Sequence, residues 1–343
     1  MKLLIITQKI DSKDDNLSFF HGWAEKFSAK LDKLYIVALA GGDYQLPANV
    51  TVFSLGKEKG FSKIRQFCRL QKFLFKHLSE VDGVFIHMCP IYAIASFPLT
   101  KLFKKRMVLW FTHKSVNWEL NLASKLVDKI LTASKDSCRI KDRKKIEIVG
   151  HGIDTGQFRP GDYSAKDTSK FTIMSAGRMV PAKDFLTLVK AADILINKDN
   201  FKNIQIKIIG TPALEEEKQY LTEVKKVAQE KGLKNYIQFL EGVPHKEMPR
   251  YYQETDLMIN LSHTGSIDKV VLEAMASGCL VLTCNEAFRE MLDSRYLFEK
   301  KNPQDLAKKI ISLKGVGKDE NLREVVFKNH NLDNLIAKIC QKF

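Results

Sequence analysis

The chain has 343 residues, 45% of them hydrophobic and 28% charged, the make-up of an ordinary folded protein and not of a disordered or low-complexity one. No stretch approaches the ~20 apolar residues that span a bilayer, and six cysteines without a Cys-x-x-Cys spacing argue against a disulfide framework or a zinc site. The formal charge of +15 is uneven: residues 1–160 hold 27 Lys and Arg against 15 Asp and Glu (+12), and the rest holds 28 against 25 (+3).

A basic half joined to a nearly neutral half points to an anionic partner for the first. Nucleic acid, an anionic membrane and a phosphorylated acceptor all fit, and a plain solvated basic surface is the structural alternative. The opening run Leu3 to Thr7 is ended by Gln8 and Lys9, with no small-residue cleavage site after it, so it predicts a buried strand rather than a secretion signal. The chain is therefore expected to stay in the cytoplasm.

In chain order, "KLLIIT", "KLYIVALA", "VTVFSL", "GVFIHM" and "RMVLWF" predict short strands buried on both faces. Helical stretches alternate with them: "FFHGWAEKFSAKL", then "FSKIRQFCRLQKFLFKHL". The segment 57–77 holds seven Lys and Arg against one Glu. Phe61, Ile64, Phe67, Cys68, Leu74 and Phe75 recur there at helical spacing. The apolar stripe is expected to face the core, leaving the basic face available to an anionic membrane surface. In "VLWFTHKSVN" (108–117) a strand ends and His113 follows; His87 ends another strand in "FIHMCP".

"HGIDTGQFRPGDYSAKDTSK" (151–170) lacks periodicity and predicts a linker. After it the alternation resumes with strands "FTIMSAG", "IQIKIIG", "YIQFLEG", "LMINLS" and "CLVLTC" and helices between them. The reading is α/β: two Rossmann-like domains facing each other across a cleft, 1–151 and 152–330, with a C-terminal helix in 331–343 expected to pack back on the first. In "SAGRMVPAKDF" (175–185) two cations, Arg178 and Lys183, flank a strand-to-helix loop and suit a diphosphate, although on any basic protein a solvated pair is the more ordinary reading. In "GSIDKVVLEAMASGC" (265–279) a helix is expected from near Ile267, with Gly265 and Ser266 at its entry and Asp268 in its first turn. Glu273 interrupts an apolar run; it either faces solvent or is buried and needs a partner, such as the paired hydroxyls of a ribose.

Taken together, "SAGRMVPAKDF", "GTPALEEE", "FLEGVPHKEMPRYY", "ETDLMINLSHTGSIDKVVLEAMASGCLVLTCNEAFREM" and "NPQDLAKKI" resemble, in order and spacing, the nucleotide-sugar domain of the retaining glycosyltransferases of family 4, which have the GT-B fold. The resemblance is specific over about residues 148–312. It implies that Arg178 and Lys183 contact a donor diphosphate and that Glu273 holds the ribose. The backbone around Ser266, Ile267 and Asp268 would cradle phosphate and sugar. His113 is the implied sugar-contacting catalytic residue, and His87 is a second candidate beside the acceptor. "DDNLSFFHGW" (14–23) stands where the family has a glycine-rich loop, with Asn16 and Ser18 approaching the donor. The family's motif has two glutamates eight apart, and Gly265 stands at the first of them; Asp268 is the candidate replacement carboxylate.

The sequence contains no Asp-x-Asp, in keeping with a metal-independent site that needs no cofactor beyond a UDP- or GDP-sugar donor substrate. The implied partners are that donor and a glycan or lipid-linked acceptor at an anionic membrane's inner face, with no nucleic acid. A sugar-nucleotide epimerase of the same fold, a basic nucleic-acid-binding protein and a donor-binding protein without turnover are the rival readings.

Overall fold

The computed structural model describes residues 1–14, 17–161 and 169–343; Asn16 and positions 162–168 of the expected linker lie outside the described residues. The chain forms two compact units. The first comprises Met1–Gly152 and His330–Phe343, the second Ile153–Asn329.

The first unit is built on seven strands: β1 (Lys2–Ile10), β2 (Lys33–Gly41), β3 (Val50–Ser54), β4 (Gly83–His87), β5 (Arg106–Trp110), β6 (Lys129–Thr132) and β7 (Ile146–Ile148). They pair in parallel in the order β3-β2-β1-β4-β5-β6-β7. Leu3, Leu4, Ile5 and Ile6 of β1 are fully buried, which explains their unbroken apolar run: a central parallel strand is covered on both faces. Strands β6 and β7 were not expected. They are short, and the half-exposed "IEI" of β7 lies at the sheet edge, where one face needs no apolar side chain.

Four helices follow in this unit: α1 (Phe19–Ser28), α2 (Lys63–His77), α3 (Pro90–Leu102) and α4 (Trp118–Leu126). Ser62 caps α2 by accepting from the Arg65 N–H at 3.3 Å, and Asn117 caps α4 by accepting from Leu120 at 2.9 Å. Phe20, Trp23 and Phe27 of α1 bury against one face of the sheet. Leu70, Phe73 and Leu74 of α2, Ala93 of α3 and Leu120 of α4 bury against the other. This corrects the expected orientation of α2. Of the stripe singled out in the sequence only Leu74 is buried, whereas Ile64, Phe67, Cys68 and Phe75 are exposed. The helix has two apolar faces, and Leu70, Phe73 and Leu74 form the one that reaches the sheet.

The second unit has five strands, β8 (Phe171–Ala176), β9 (Ile204–Ile209), β10 (Ile237–Leu240), β11 (Leu257–Asn260) and β12 (Leu280–Thr283). All pair in parallel, in the order β10-β9-β8-β11-β12. Its helices are α5 (Phe185–Asp193), α6 (Glu215–Glu230), α7 (Met248–Gln253), α8 (Lys269–Ala276), α9 (Pro303–Leu313) and α10 (Glu320–Asn329). Among the described residues, no helix is long and apolar enough to cross a membrane.

The chain then returns to the first unit with α11 (Leu332–Cys340). Leu332, Leu335, Ile336 and Ile339 are buried in the same cluster as Trp23 and Phe27. The return is pinned where it starts: the His151 N–H donates to His330 Nδ1 at 2.9 Å. Burial, helped by the charge of Lys338, pushes the His330 imidazole down to about 4. An Nδ1 that accepts a backbone N–H must also be unprotonated.

The folded pKa thus lies below the ordinary value of 6.5. Between the two values the unfolded chain binds more protons, so stability rises with pH across that window and is lost as pH falls through it. Replacing His330 with Gln keeps an acceptor that does not titrate. Urea midpoints of the full chain measured from pH 4 to 6.5 are expected to vary less in H330Q than in wild type. Equal slopes for the two proteins would reject this account.

Candidate functional site

The second sheet reverses its strand order between β8 and β11, where an open parallel sheet leaves a crevice beyond its strand ends. The loops after these strands carry most of the sequence's candidates. A Cβ on Gly210, just after β9, would lie 2.2 Å from the Gly177 carbonyl oxygen, so only glycine lets the β8 and β9 loops approach so closely. Gly265 turns the β11 loop with a φ of +66°, the left-handed region that glycine adopts without strain.

Lys183 and Asp268 meet at the centre. Lys183 Nζ lies 2.8 Å from Asp268 Oδ1 and 3.3 Å from Ser262 Oγ. Asp268 Oδ2 accepts from the side-chain amides of Asn260 at 3.2 Å and Asn285 at 3.1 Å. The Asn285 amide also donates to the Ser266 carbonyl at 2.7 Å, and Thr283 Oγ1 donates to Asn260 Oδ1 at 2.9 Å. The ends of β11 and β12 therefore fix the backbone from Ser266 to Asp268, and Ile267 is buried. The helix starts later than the sequence suggested. Lys269 is its first residue and Asp268 its N-cap position, yet the Asp268 side chain makes no capping bond. Its carboxylate is drawn instead to the Lys183 ammonium and the two amides.

Arg178 has a different anchor. Its Nη2 donates at 2.7 Å to Glu217 Oε1, and Glu217 Oε2 accepts the Ala213 N–H at 2.7 Å. The Arg178 bond, seconded by the Ala213 N–H, holds the Glu217 carboxyl below the usual range. Glu217 is buried in the first turn of α6 while the Arg178 side chain stays 62% exposed, so the cation is steered and yet accessible.

Glu273 is only 4% exposed, which removes the solvent-facing alternative. It also has protein partners that the sequence reading lacked. His245 Nε2 lies 3.0 Å from Oε1, and the Tyr252 hydroxyl donates to Oε2 at 3.0 Å. Burial pushes the Glu273 carboxyl up; the bonds from His245 and Tyr252 and the nearby charges of His245 and Lys269 outweigh it and hold the group ionised below its usual pKa. Burial beside that carboxylate raises Tyr252 well above its ordinary value. Burial also lowers the Lys269 ammonium, to about 8. Phe158 packs edge-on against both donor rings, 5.1 Å from His245 and 5.9 Å from Tyr252. Glu217, His245 and Tyr252 stand in the stretches quoted from the sequence. Their pairings join residues 39, 28 and 21 positions apart, however, and no local pattern announces them.

The first unit carries the remaining candidates. His113 is exposed in the loop after β5, where its Nδ1 accepts the Ser115 N–H at 3.1 Å. That bond assigns the proton to Nε2. Ser18 occupies the N-cap position of α1 without a capping side-chain bond. His87 is 2% exposed, with Nδ1 3.0 Å from Thr7 Oγ1 and its ring packed 4.7 Å from Phe20 and 5.4 Å from Trp23. It sits as a core histidine, packed among aromatic rings.

Residues 162–330, nearly all of the second unit, match the family model of the group 1 glycosyl transferases. Curated relatives include a D-inositol 3-phosphate glycosyltransferase of Nocardia farcinica, 29% identical over 150 residues, which are 42% of this chain and 33% of the relative. A protein of the same name from Corynebacterium glutamicum is 27% identical over 150 residues, 41% of this chain and 35% of that one. The matched stretch thus spans about a third of these relatives' length.

Solved structures extend the fold likeness to the whole chain. Anabaena Alr3699/HepE, crystallised with UDP, superposes with a TM-score of 0.78 at 15% identity, covering 100% of this chain and 99% of that one. Sucrose-phosphate synthase from Thermosynechococcus elongatus gives 0.75 at 14%, covering 99% and 98%. The fold is the GT-B class, two parallel-sheet α/β units, as expected from the sequence.

Removing the Tyr252 hydroxyl leaves a buried, ionised Glu273 with one partner fewer. Y252F is expected to lower the unfolding free energy by about 1–3 kcal/mol, the usual cost of an unsatisfied buried acceptor. Denaturant unfolding measures it, and an unchanged midpoint would show that water replaces the phenol.

Proposed function

We propose that the chain is a retaining, metal-independent glycosyltransferase. It moves a sugar from a nucleotide diphosphate donor to an acceptor hydroxyl, in the synthesis of a surface polysaccharide or lipid-linked glycan in the cytoplasm. One observation carries the reading. Inside the segment that matches the group 1 model, an accessible guanidinium (Arg178) and a shielded ammonium (Lys183) stand beyond the end of β8, with a buried carboxylate (Glu273) on α8.

In the reaction the bond from the anomeric carbon to the diphosphate oxygen breaks, and its electron pair leaves with the diphosphate. The acceptor oxygen bonds to that carbon, and its proton passes to the oxygen of the departing diphosphate. Charge therefore grows on the diphosphate, and fixed cations stabilise it without reorganising. Arg178 uses one nitrogen on Glu217 and keeps further N–H donors for phosphate. Glu273 accepts two bonds within the protein, and a carboxylate has about four lone-pair sites, so ribose hydroxyls still find acceptors. The backbone of Ser266 and Ile267 lines the seat. His113, with its proton on Nε2, donates to the donor sugar, and Ser18 contributes backbone to the donor. Relatives named for an inositol phosphate acceptor and a structural neighbour crystallised with UDP make UDP the first nucleotide to test. Donor binding without turnover is the second reading, favoured by Gly265 at the place of the family's first glutamate.

Asp268 acts in this reading as a positioning residue that holds Lys183. D268N is expected to weaken nucleotide affinity roughly tenfold and to raise the donor KM more than it lowers kcat. Loss of kcat with affinity intact would instead put the carboxylate at the reacting carbon.

Thermal unfolding of wild type, R178A and E273Q with UDP, GDP, ADP and TDP, without added metal, tests the site. One nucleotide should raise the wild-type midpoint, and R178A should bind it about 10- to 100-fold more weakly, as loss of a charge-assisted contact implies. If none of the four stabilises the wild type, the donor reading fails.

A further inference from the structure

The outer surface of α2 and α3 has no role in the site above, and its composition is unusual for a solvated face. Ile64 is 78% exposed, Phe75 65% and Leu102 68%, with Phe67 and Ile91 about half exposed beside them. The two helices lie side by side: Gln71 Nε2 donates to the Ala95 carbonyl at 2.9 Å, and Phe75 meets Phe103 edge-on at 6.0 Å. The exposed apolar side chains of both helices are therefore carried on adjoining elements of the first unit. None of them enters the core, which takes Leu70, Phe73 and Leu74 from α2.

Lysines accompany these exposed apolar side chains. Lys63, Lys72 and Lys76 project from α2, with Lys101 and Lys104 at the end of α3, and none of the five is paired with a carboxylate among the described residues. The sequence withholds counter-charge here. No Asp or Glu occurs from Lys59 to Ser79 or from Gly83 to Trp118.

We propose that this face docks on an anionic lipid bilayer, with Ile64, Phe75 and Leu102 entering the headgroup boundary and the lysines resting on lipid phosphates. Charge complementarity selects that occupant. A second copy of the chain would bring the same unpaired lysines against themselves. A nucleic acid would satisfy the lysines and leave the alkyl and phenyl groups without an apolar phase to enter. A basic rim around exposed apolar side chains is the combination that an interfacial surface requires. The inference does not rest on the donor reading, since vesicle binding needs no nucleotide, and either can fail alone.

Co-sedimentation of the full chain with phosphatidylglycerol or phosphatidylcholine vesicles tests it. Wild type is expected to bind the first and not the second, with binding weakened by salt. Replacing Lys72, Lys76 and Lys101 with Gln should reduce partitioning on the order of a hundredfold, given the usual attraction per basic residue. The variant I64S/F75S/L102S keeps every charge and should lose at least about tenfold through apolar burial alone. Both variants alter only exposed side chains, so unchanged circular dichroism and thermal midpoints would confirm that they fold. Three results would each overturn the proposal. One is vesicle binding unaffected by both variants. Another is retention of duplex DNA by wild type and the serine variant alike, without vesicle binding. The third is self-association that the serine variant abolishes, again without vesicle binding.

Discussion

A parallel strand pair cannot be closed by a tight turn, and every strand pair in both sheets is parallel. Each return must cross the sheet through a helix or a long connection, and all strand C-termini collect at one edge. In the second unit this constraint brings Lys183 to Asp268 across 85 residues of sequence. The strand order turns between β8 and β11, so the loops that follow them open outward on the same side. The ion pair, the Asn260 and Asn285 amides and the close pass of Gly210 by Gly177 all follow from that edge.

Buried charge imposes the next layer of order. Glu273 is an ionised group set deep among the apolar residues of α8, and an unpaired carboxylate there would be costly. His245 and Tyr252 solve the problem with side chains from the β10–α7 loop and from α7, and Phe158 wedges both rings in place. Glu217 does the same for Arg178 from the start of α6. Each residue given a ligand-facing role in the second unit is thus oriented by a partner from another element. A site built this way is stiff before any ligand arrives, which is what electrostatic stabilisation of a leaving group asks of it.

Much of this was legible in the sequence, for identifiable reasons. Strands such as "LLII" and "LMIN" were readable because burial on both faces forces an unbroken apolar run. β6 and β7 were not, because toward the sheet edge that β7 forms the run shortens to "KILT" and "IEI". The start of α8 was misjudged by two residues, since Ser266 reads as a cap and nothing local shows that Asp268 is claimed by Lys183. The outward stripe of α2 was assigned to the core because periodicity finds an apolar face without saying which of two faces meets the sheet. Arg178, Lys183 and Glu273 could be singled out by residue type and loop position. Glu217, His245 and Tyr252 are tertiary choices, invisible until the chain is folded.

The path of the chain between its two units bears on how the molecule is made. Residues 330–343 belong with residues 1–152, and α11 seats Leu335 and Ile336 over Trp23 and Phe27. On the ribosome the whole second unit emerges before that helix does. The first sheet must wait, with the apolar groove beside α1 unfilled, while a complete second domain is free to fold. A nascent chain paused near residue 329 would display those apolar side chains to chaperones and proteases until the His151–His330 bond could form.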